Sequence, residues 1–198
     1  MPLPSPYTGI PPERWAEETR KIVDRHPLKQ SEFVEVVLLC WKSLLDSRIG
    51  TKGFRIGTDI RPKPQIMGFF LEQLIALELA TRHPDHWCAE RTAKDKDLVY
   101  LPDADFSVEI KTSSHPRQVF GNRSYAQAGN KSKKSKAGYY LAVNFQKFTD
   151  SPTPQVVLIR FGWLDHTDWI GQKATTGQQA RIAPHSEAAK LLTLYSQE

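Results

Sequence analysis

An α/β fold around a mixed sheet is what the order of elements in this chain predicts, and three observations carry the reading. Helical patterns fill most of the first 82 residues. Four or five strand-like runs follow, and a polar, basic connection between residues 114 and 137 separates the earlier ones from the last two. A helix, strands, a crossover and further strands is the pattern of helices packed on a sheet. At 198 residues and 22.6 kDa the chain is the size of one domain and buries a core without staples. With 39% hydrophobic and 25% charged residues it reads as a soluble globular protein.

The elements follow in order. The proline-rich start, MPLPSPYTGIPP, lacks a basic segment followed by an apolar one, so it reads as an extended arm and not a signal peptide. The stretch PPERWAEETRKIVDRHP reads as a first helix, with proline at its start and Pro27 after its end. Residues 31–49 form a second, capped by Ser31 and apolar enough to be buried in the core or against a second subunit. Cys40 sits inside it, in VVLLCW, as a buried thiol. With Cys88 it makes neither a metal spacing nor a disulfide framework, which points to a reduced, cytoplasmic setting. Residues 50–64 are a Gly, Pro and basic loop, and 65–82 a third helix.

HWCAER is a short strand, KDLVYL and FSVEIKTS a hairpin, and GYYLAVNFQKF and PQVVLIRFGWL two more strands. The crossover holds a short helix around Tyr125. Residues 166–183 read as a polar loop. After Pro184 a last helix places Ala188, Leu191, Leu192 and Tyr195 on one face. No apolar run reaches the roughly 20 residues needed to cross a bilayer, so no membrane is expected.

Charge is concentrated. Between Glu109 and Asp150 there is no acidic residue, but there are Lys111, Arg117, Arg123, Lys131, Lys133, Lys134, Lys136 and Lys147. Elsewhere 19 basic residues face 22 acidic ones, so this window carries the whole positive excess of the +5 chain. It is either a solvated loop or the electrostatic footprint of a polyanion.

The stretch DLVYLPDADFSVEIKTSS, residues 97–114, has the densest chemistry. Val108 and Ile110 alternate with Ser107, Glu109 and Lys111, and Leu98 and Tyr100 alternate with Asp97, Val99 and Leu101. Directly opposed residues of an antiparallel pair share a face. Putting both apolar sets over one core with a turn centred on Asp103 pairs Asp97 with Glu109, and Lys111 lies two residues along on the same side. A one-residue slip would turn the apolar set to solvent. Two adjacent carboxylates repel unless a cation joins them, and such a pair suits a hard divalent metal. The lysine can orient or deprotonate water, or stabilise negative charge. Alternation alone also allows a plain cross-strand salt bridge. Asp103 and Asp105 are accounted for by the turn.

Asp97, then twelve residues on Glu109-Ile110-Lys111 with a hairpin between, resembles the PD-(D/E)xK nuclease signature. In MGFFLEQLIALEL, Glu72 interrupts an apolar helix between Gly68 and Ala76, like the helical acid of many such nucleases. The order of elements over residues 65–162 resembles their αβββαβ restriction-endonuclease-like core. VEIKTSS, FGNRSYAQ and DWIGQKATTGQQA together are similar to type II restriction endonucleases, most of all the ScaI family. Lys96 stands where the motif has proline, which leaves the first acid open to Asp103 as well as Asp97.

The resemblance implies a prokaryotic enzyme that hydrolyses double-stranded DNA at a specific sequence with one or two Mg²⁺. Asp97, Glu109 and the Ile110 carbonyl are its expected metal ligands, with Glu72 on a second metal and Lys111 positioning water. Base-edge and phosphate contacts fall to Ser113, Ser114, Arg117, Asn122, Arg123, Ser124, Tyr125, Gln127, Lys131, Lys133, Lys134, Lys136, Gln172, Lys173, Thr175, Gln178 and Arg181, since Asn, Gln and Arg suit base recognition. The expected organisation is a single nuclease domain: an arm and helices for dimerisation (1–64), the catalytic core (65–162), then a DNA-contacting segment and helix (163–198). Cutting both strands of a palindrome implies a homodimer, and such a system pairs with a cognate methyltransferase. The rival readings are a repair or junction-resolving nuclease of the same fold, and a catalytically inactive DNA-binding module.

Overall fold

Proline at the first turn and apolar residues at helical spacing set the N-terminal half. The computed structural model describes residues 5–127, 134–174 and 176–197. A 3-10 turn over Pro12–Arg14 leads into α1 (Trp15–Asp24). The preceding arm is docked: Tyr7 is buried, with its hydroxyl 2.8 Å from Thr19 Oγ1. The second helix, α2 (Gln30–Asp46), buries Phe33, Val37, Cys40 and Leu44, the stripe that its spacing dictates. It begins one residue before Ser31, so Ser31 lies in the first turn and does not cap it. The helix stops at Asp46, short of the expected 49, and a two-residue ladder, β1 (Arg48–Ile49) with β2 (Phe54–Arg55), runs from there into the expected loop. Pro64 then opens α3 (Pro64–Arg82).

Six strands form the main sheet: β3 (Trp87–Ala89), β4 (Leu98–Tyr100), β5 (Val108–Ser113), then, beyond the short β6 (Phe120–Asn122) described below, β7 (Gly138–Phe145), β8 (Val156–Leu164) and finally β11 (Leu191–Ser196). Their order is β11-β8-β7-β5-β4-β3. Only β5 and β7 run parallel, as a crossover connection requires. The sheet is therefore mixed, as expected. Leu98 pairs with Val108, the register deduced from the apolar alternation.

Side-chain alternation divides the sheet into two faces. Val108, Ile110, Leu141, Val143, Ile159 and Phe161 join the main core with residues of α1, α2 and α3. On the opposite face Tyr140, Ala142, Leu164 and Leu191 pack on Val119, Tyr125, Trp169, Ala180 and Ile182. Glu109 pairs with Tyr140 and Lys111 with Ala142, so both belong to this second face.

Two expectations are corrected here. Residues 166–183 are not a plain polar loop: a 3-10 turn over His166–Asp168 leads to β9 (Trp169–Gly171) and β10 (Gln179–Ile182). These join β6 in a three-stranded antiparallel sheet of order β6-β10-β9. Buried Trp169, Ala180 and Ile182 hold it against the main sheet, a signal diluted in the sequence by the polar residues around them. The last helix is also shorter than expected. α4 (Pro184–Lys190) stops, and Leu191–Ser196 pairs with β8 as an edge strand. The open backbone edge of β8 outweighs the helical spacing, and Ala188, counted on the apolar face, is exposed. Among the described residues no helix is long and apolar enough to cross a membrane.

Candidate active site

The β4–β5 hairpin and the start of β7 build the site. Glu109 is buried on the second face of the sheet, its side chain 2% exposed. Asp97, the residue before β4, is turned onto the same strand: its Oδ2 accepts the Ile110 amide at 2.6 Å. Lys111 donates to Glu109 Oε1 at 2.7 Å and to the Ile110 carbonyl at 3.0 Å, and its Nζ stands 3.9 Å from Asp97 Oδ2. The acid–acid–lysine set expected from the register is thus one cluster.

Lys134 completes it in an unexpected way. Its ammonium lies 2.8 Å from Asp97 Oδ1 and 2.8 Å from Glu109 Oε2, with Glu90 Oε2 at 4.0 Å. The contact to Glu109 is an ion pair without hydrogen-bond alignment, so Oε2 is a buried oxygen with no aligned donor among the described residues. Lys96, buried and donating to the Ser135 carbonyl at 2.8 Å, stands 4.0 Å from the same oxygen. Three lysines therefore ring two carboxylates.

These charges fix one another's protonation. Burial works against ionisation of Glu109, but Lys111, Lys96 and Lys134 outweigh it and hold the carboxyl well below its ordinary range. Burial likewise disfavours the Lys111 ammonium, and Glu109, Asp97 and Glu72 reverse that effect and raise its pKa. Lys134 is raised in the same way, burial being overcome by Glu109 and Asp97. Lys96 goes the other way: burial takes it down to about 8 despite Glu109.

Glu72 reaches the same end of β5 from α3. Its Oε1 accepts the Thr112 amide at 3.1 Å and the Thr112 hydroxyl at 3.0 Å. Gly68 permits this approach, since a Cβ there would stand 2.5 Å from Thr112 Oγ1. Burial raises the Glu72 pKa, with Lys111 and Thr112 opposing. Its carboxylate does not join the Asp97–Glu109 pair in a three-residue metal cluster; the described residues contain no such group of His, Cys, Asp and Glu. A cleft of about 480 Å³ opens beside it, lined by Gly68, Phe69, Glu72, Ser113, Ser114 and Phe120.

Tyr125, expected to touch DNA, is buried, and its hydroxyl donates a hydrogen bond to Glu109 Oε1. Burial and then the Glu109 charge raise its pKa, so it is a proton donor to the carboxylate. Gly121 makes room for the ring: a Cβ there would meet it at 2.9 Å. Lys136 is half-buried with its ammonium 4.0 Å from the centre of that ring. Nothing in the spacing of the crossover marks this tyrosine as a partner of Glu109.

The other expected DNA contacts divide. Arg123 braces the β9–β10 connection by donating to the carbonyls of Ala174 (3.1 Å) and Gly177 (3.3 Å). Asn122, Gln127, Gln172, Lys173, Gln178 and Arg181 are exposed, and Ser124 is half-buried. Arg117 is exposed in the loop after β5. Buried Arg160 holds that loop by donating to the Arg117 carbonyl, and Asn144 by donating to the carbonyls of His115 (2.7 Å) and Gln118 (3.0 Å). Lys131, Lys133 and Thr175 lie outside the described residues. Asp103, the alternative first acid, is exposed and accepts the Asp105 amide at 3.0 Å, capping the 3-10 turn Ala104–Phe106.

No solved structure gives a significant match to this chain. A curated relative, the type II restriction enzyme ScaI of Streptomyces caespitosus, is 49% identical over 195 residues, covering 97% of this chain and 85% of the relative. The family model for the ScaI restriction endonuclease matches residues 5–195. On a match across nearly its whole length, the chain belongs to the ScaI restriction endonuclease family.

Proposed function

We propose that Asp97, Glu109 and Lys111 carry DNA phosphodiester hydrolysis in this protein, a PD-(D/E)xK site with Asp97 as its first acid. Family membership makes the chain a type II restriction endonuclease, a site-specific deoxyribonuclease. The observation supporting this assignment is the convergence of two carboxylates and a lysine on one strand pair, with a buried Glu109 oxygen left without an aligned donor.

The donor set suits Mg²⁺: Asp97, Glu109 and the Ile110 carbonyl offer hard oxygens, and these are the residues that would hold it. When bound, such an ion supplies Lewis-acid neutralisation of phosphate charge and acidifies water. The protein's own groups do the rest. Lys111, whose ammonium its acidic neighbours favour, orients water and stabilises charge on the phosphate. Tyr125 fixes the rotamer of Glu109, and Glu72 holds the end of β5 through Thr112 while remaining open to a second metal or its water shell.

Ser113, Ser114 and Arg117, beside the cleft and in the braced loop after β5, and Asn122, Gln172, Lys173, Gln178 and Arg181, on and around the small sheet, are the proposed DNA contacts. Gln127, Ser124, Lys134 and Lys136 belong with the backbone-contacting set. A homodimer acting on both strands of a palindrome, in the cytoplasm beside a cognate methyltransferase, completes the proposal. The test is to incubate the purified protein and Mg²⁺ with plasmid DNA and sequence the ends. Discrete fragments sharing one sequence at every end are expected. Random ends would favour a repair nuclease, and no cutting at all would sink the assignment.

A further inference from the structure

We propose that Lys134 is a built-in counter-ion of the Asp97–Glu109 pair, which keeps divalent metal weakly bound until DNA draws the lysine away. The inference rests on the assignment of Asp97 and Glu109 as metal ligands. Its own basis is that one ammonium bridges both carboxylates at 2.8 Å each, taking the space between them that a shared cation would use.

Charge balance makes the bridge consequential. Within 4.0 Å of the two carboxylates stand the ammonium groups of Lys96, Lys111 and Lys134. The pair therefore presents no net negative charge to an approaching divalent ion; Glu72 evens the count, and Glu90, exposed and 4.0 Å from Lys134, is screened by water. Adding two positive charges to such a site, partly shielded from water, is unfavourable. Removal of one lysine alters this. Lys111 is a poor candidate: it is also tied to the Ile110 carbonyl and lies on β5 itself. Lys96 is buried and donates to Ser135. Lys134 is not in a strand, and its hydrogen bond to a side chain is the one to Asp97 Oδ1. It belongs to the one segment that carries the positive excess of the chain.

A DNA phosphate offers Lys134 a new anionic partner close by. The exchange conserves charge: the ammonium pairs with phosphate as the carboxylates become free for the divalent ion. Metal and DNA then each strengthen the binding of the other, by the same factor, as linkage demands. Without DNA the acids stay paired, which limits metal loading of an enzyme that has no substrate.

Calorimetric titration of the full chain with Ca²⁺ tests this, with and without a DNA duplex containing the recognition sequence. In the absence of DNA, Lys134→Met is expected to bind Ca²⁺ at least about tenfold more tightly than the parent, the effect of losing one charge-assisted contact that competes for the site. The factor by which DNA tightens Ca²⁺ binding should shrink correspondingly. Lys134→Gln, neutral but still able to donate to the carboxylates, should behave alike and serves if the Met variant does not fold. Lys94→Met removes an exposed charge from the same side of the sheet that the site does not use and should change DNA-free Ca²⁺ affinity less than about twofold. Unchanged Ca²⁺ affinity in both Lys134 variants overturns the proposal, and so does an equal gain from Lys94→Met, which would make the effect one of general charge. Glu109→Gln separates the two levels. If it loses Ca²⁺ in the presence of DNA while the Lys134 variants match the parent, only this inference falls. If it binds Ca²⁺ as the parent does, the ligand assignment falls and takes this inference with it.

Discussion

Among the described residues two lysine–carboxylate clusters lie in the interior, and they are built on opposite terms. In one, Lys190 sits 2.9 Å from both oxygens of Asp168 and 3.5 Å from Asp165, with the rings of Tyr7 and Trp15 about it at 4.4 and 4.3 Å. Each Asp168 oxygen has a further donor, Ser186 Oγ at 2.7 Å and the Asp165 amide at 2.7 Å. Ser5 closes Asp165 at 2.6 Å. Acids outnumber the lysine, and every oxygen named has a partner. In the other cluster three lysines crowd two acids, Glu109 Oε2 has no aligned donor, and Asp97 and Lys134 keep 19% and 14% of their side-chain surface in water. A satisfied, roofed ion pair holds a fold together; an over-neutralised, partly open one has capacity to exchange partners.

The largest expected effect breaks the first cluster. Asp168→Ala leaves the buried Lys190 without its nearest acid and should cost about 3–5 kcal/mol in urea unfolding. Cleavage per folded molecule should be unchanged. The reverse holds in the second cluster. Asp97→Asn and Glu109→Gln should lower cleavage on the order of 10²–10³-fold, the scale of losing one preorganised charge-stabilising group. DNA binding in a gel-shift assay should persist, since removing an acid lessens repulsion of phosphate. A stability loss of several kcal/mol without a specific loss of cleavage would put Asp97 in the structural class with Asp168.

His26 sharpens the contrast, because it is buried without a charged partner. Its Nε2 lies 3.0 Å from the Phe106 carbonyl and its Nδ1 accepts the Leu28 amide, roles that the neutral ring alone can fill. Burial takes its pKa from 6.5 to about 4, against the carbonyls of Phe106 and Leu28, which favour the charged ring. The unfolded chain therefore binds the proton first as pH falls. The stability that the neutral ring provides is complete above pH 6.5, wanes below it and is gone below about 4, some 3 kcal/mol in all. Urea unfolding at pH 7, 5.5 and 4 should show His26→Gln with a shallower loss than the parent. Equal slopes would mean that the ring is charged in the folded state. Tyr125→Phe is a smaller step. It removes the hydroxyl on Glu109 and should cost about 10–100-fold in metal affinity or activity, the scale of an outer-shell partner. A fall in cleavage that extra Mg²⁺ partly restores would mark a positioning role.

How much of this was legible beforehand follows from what each residue's signal was. The pairing of Leu98 with Val108, and with it the meeting of Asp97, Glu109 and Lys111, follows from period-two alternation, because a slip would expose the whole apolar set. Glu72 was marked by its charge among apolar neighbours and by Gly68, whose missing side chain admits Thr112. Tyr125 and Lys134 were visible only as members of a basic, polar stretch. Their contacts with Glu109 depend on how the crossover folds back over β5, and no periodic pattern encodes that return. The same holds for β9 and β10, short strands whose few buried residues stand among polar ones, and for β11, where a free edge at β8 overrode a helical spacing.

The smallest effect settles which aspartate is the first acid. Asp103 follows proline, as the literal motif has it, and Asp97 follows Lys96. In the fold the two have different work. Asp97 accepts the Ile110 amide and faces Lys134 and Lys111, whereas Asp103 is exposed and its carboxylate accepts the Asp105 amide at the start of a 3-10 turn. Removing that cap with Asp103→Ala should cost at most about 1 kcal/mol of stability. Asp103→Asn keeps an accepting oxygen at the same reach and should cost less still. Neither change removes charge from the lysine cluster, so cleavage over a range of Mg²⁺ concentrations should be that of the parent, while Asp97→Asn is nearly inert throughout. If instead Asp103→Asn abolishes cutting and Asp97→Asn cuts normally, the acid pair of the β4–β5 hairpin is a salt-bridge network like that of Lys190, and the chemistry belongs to the turn.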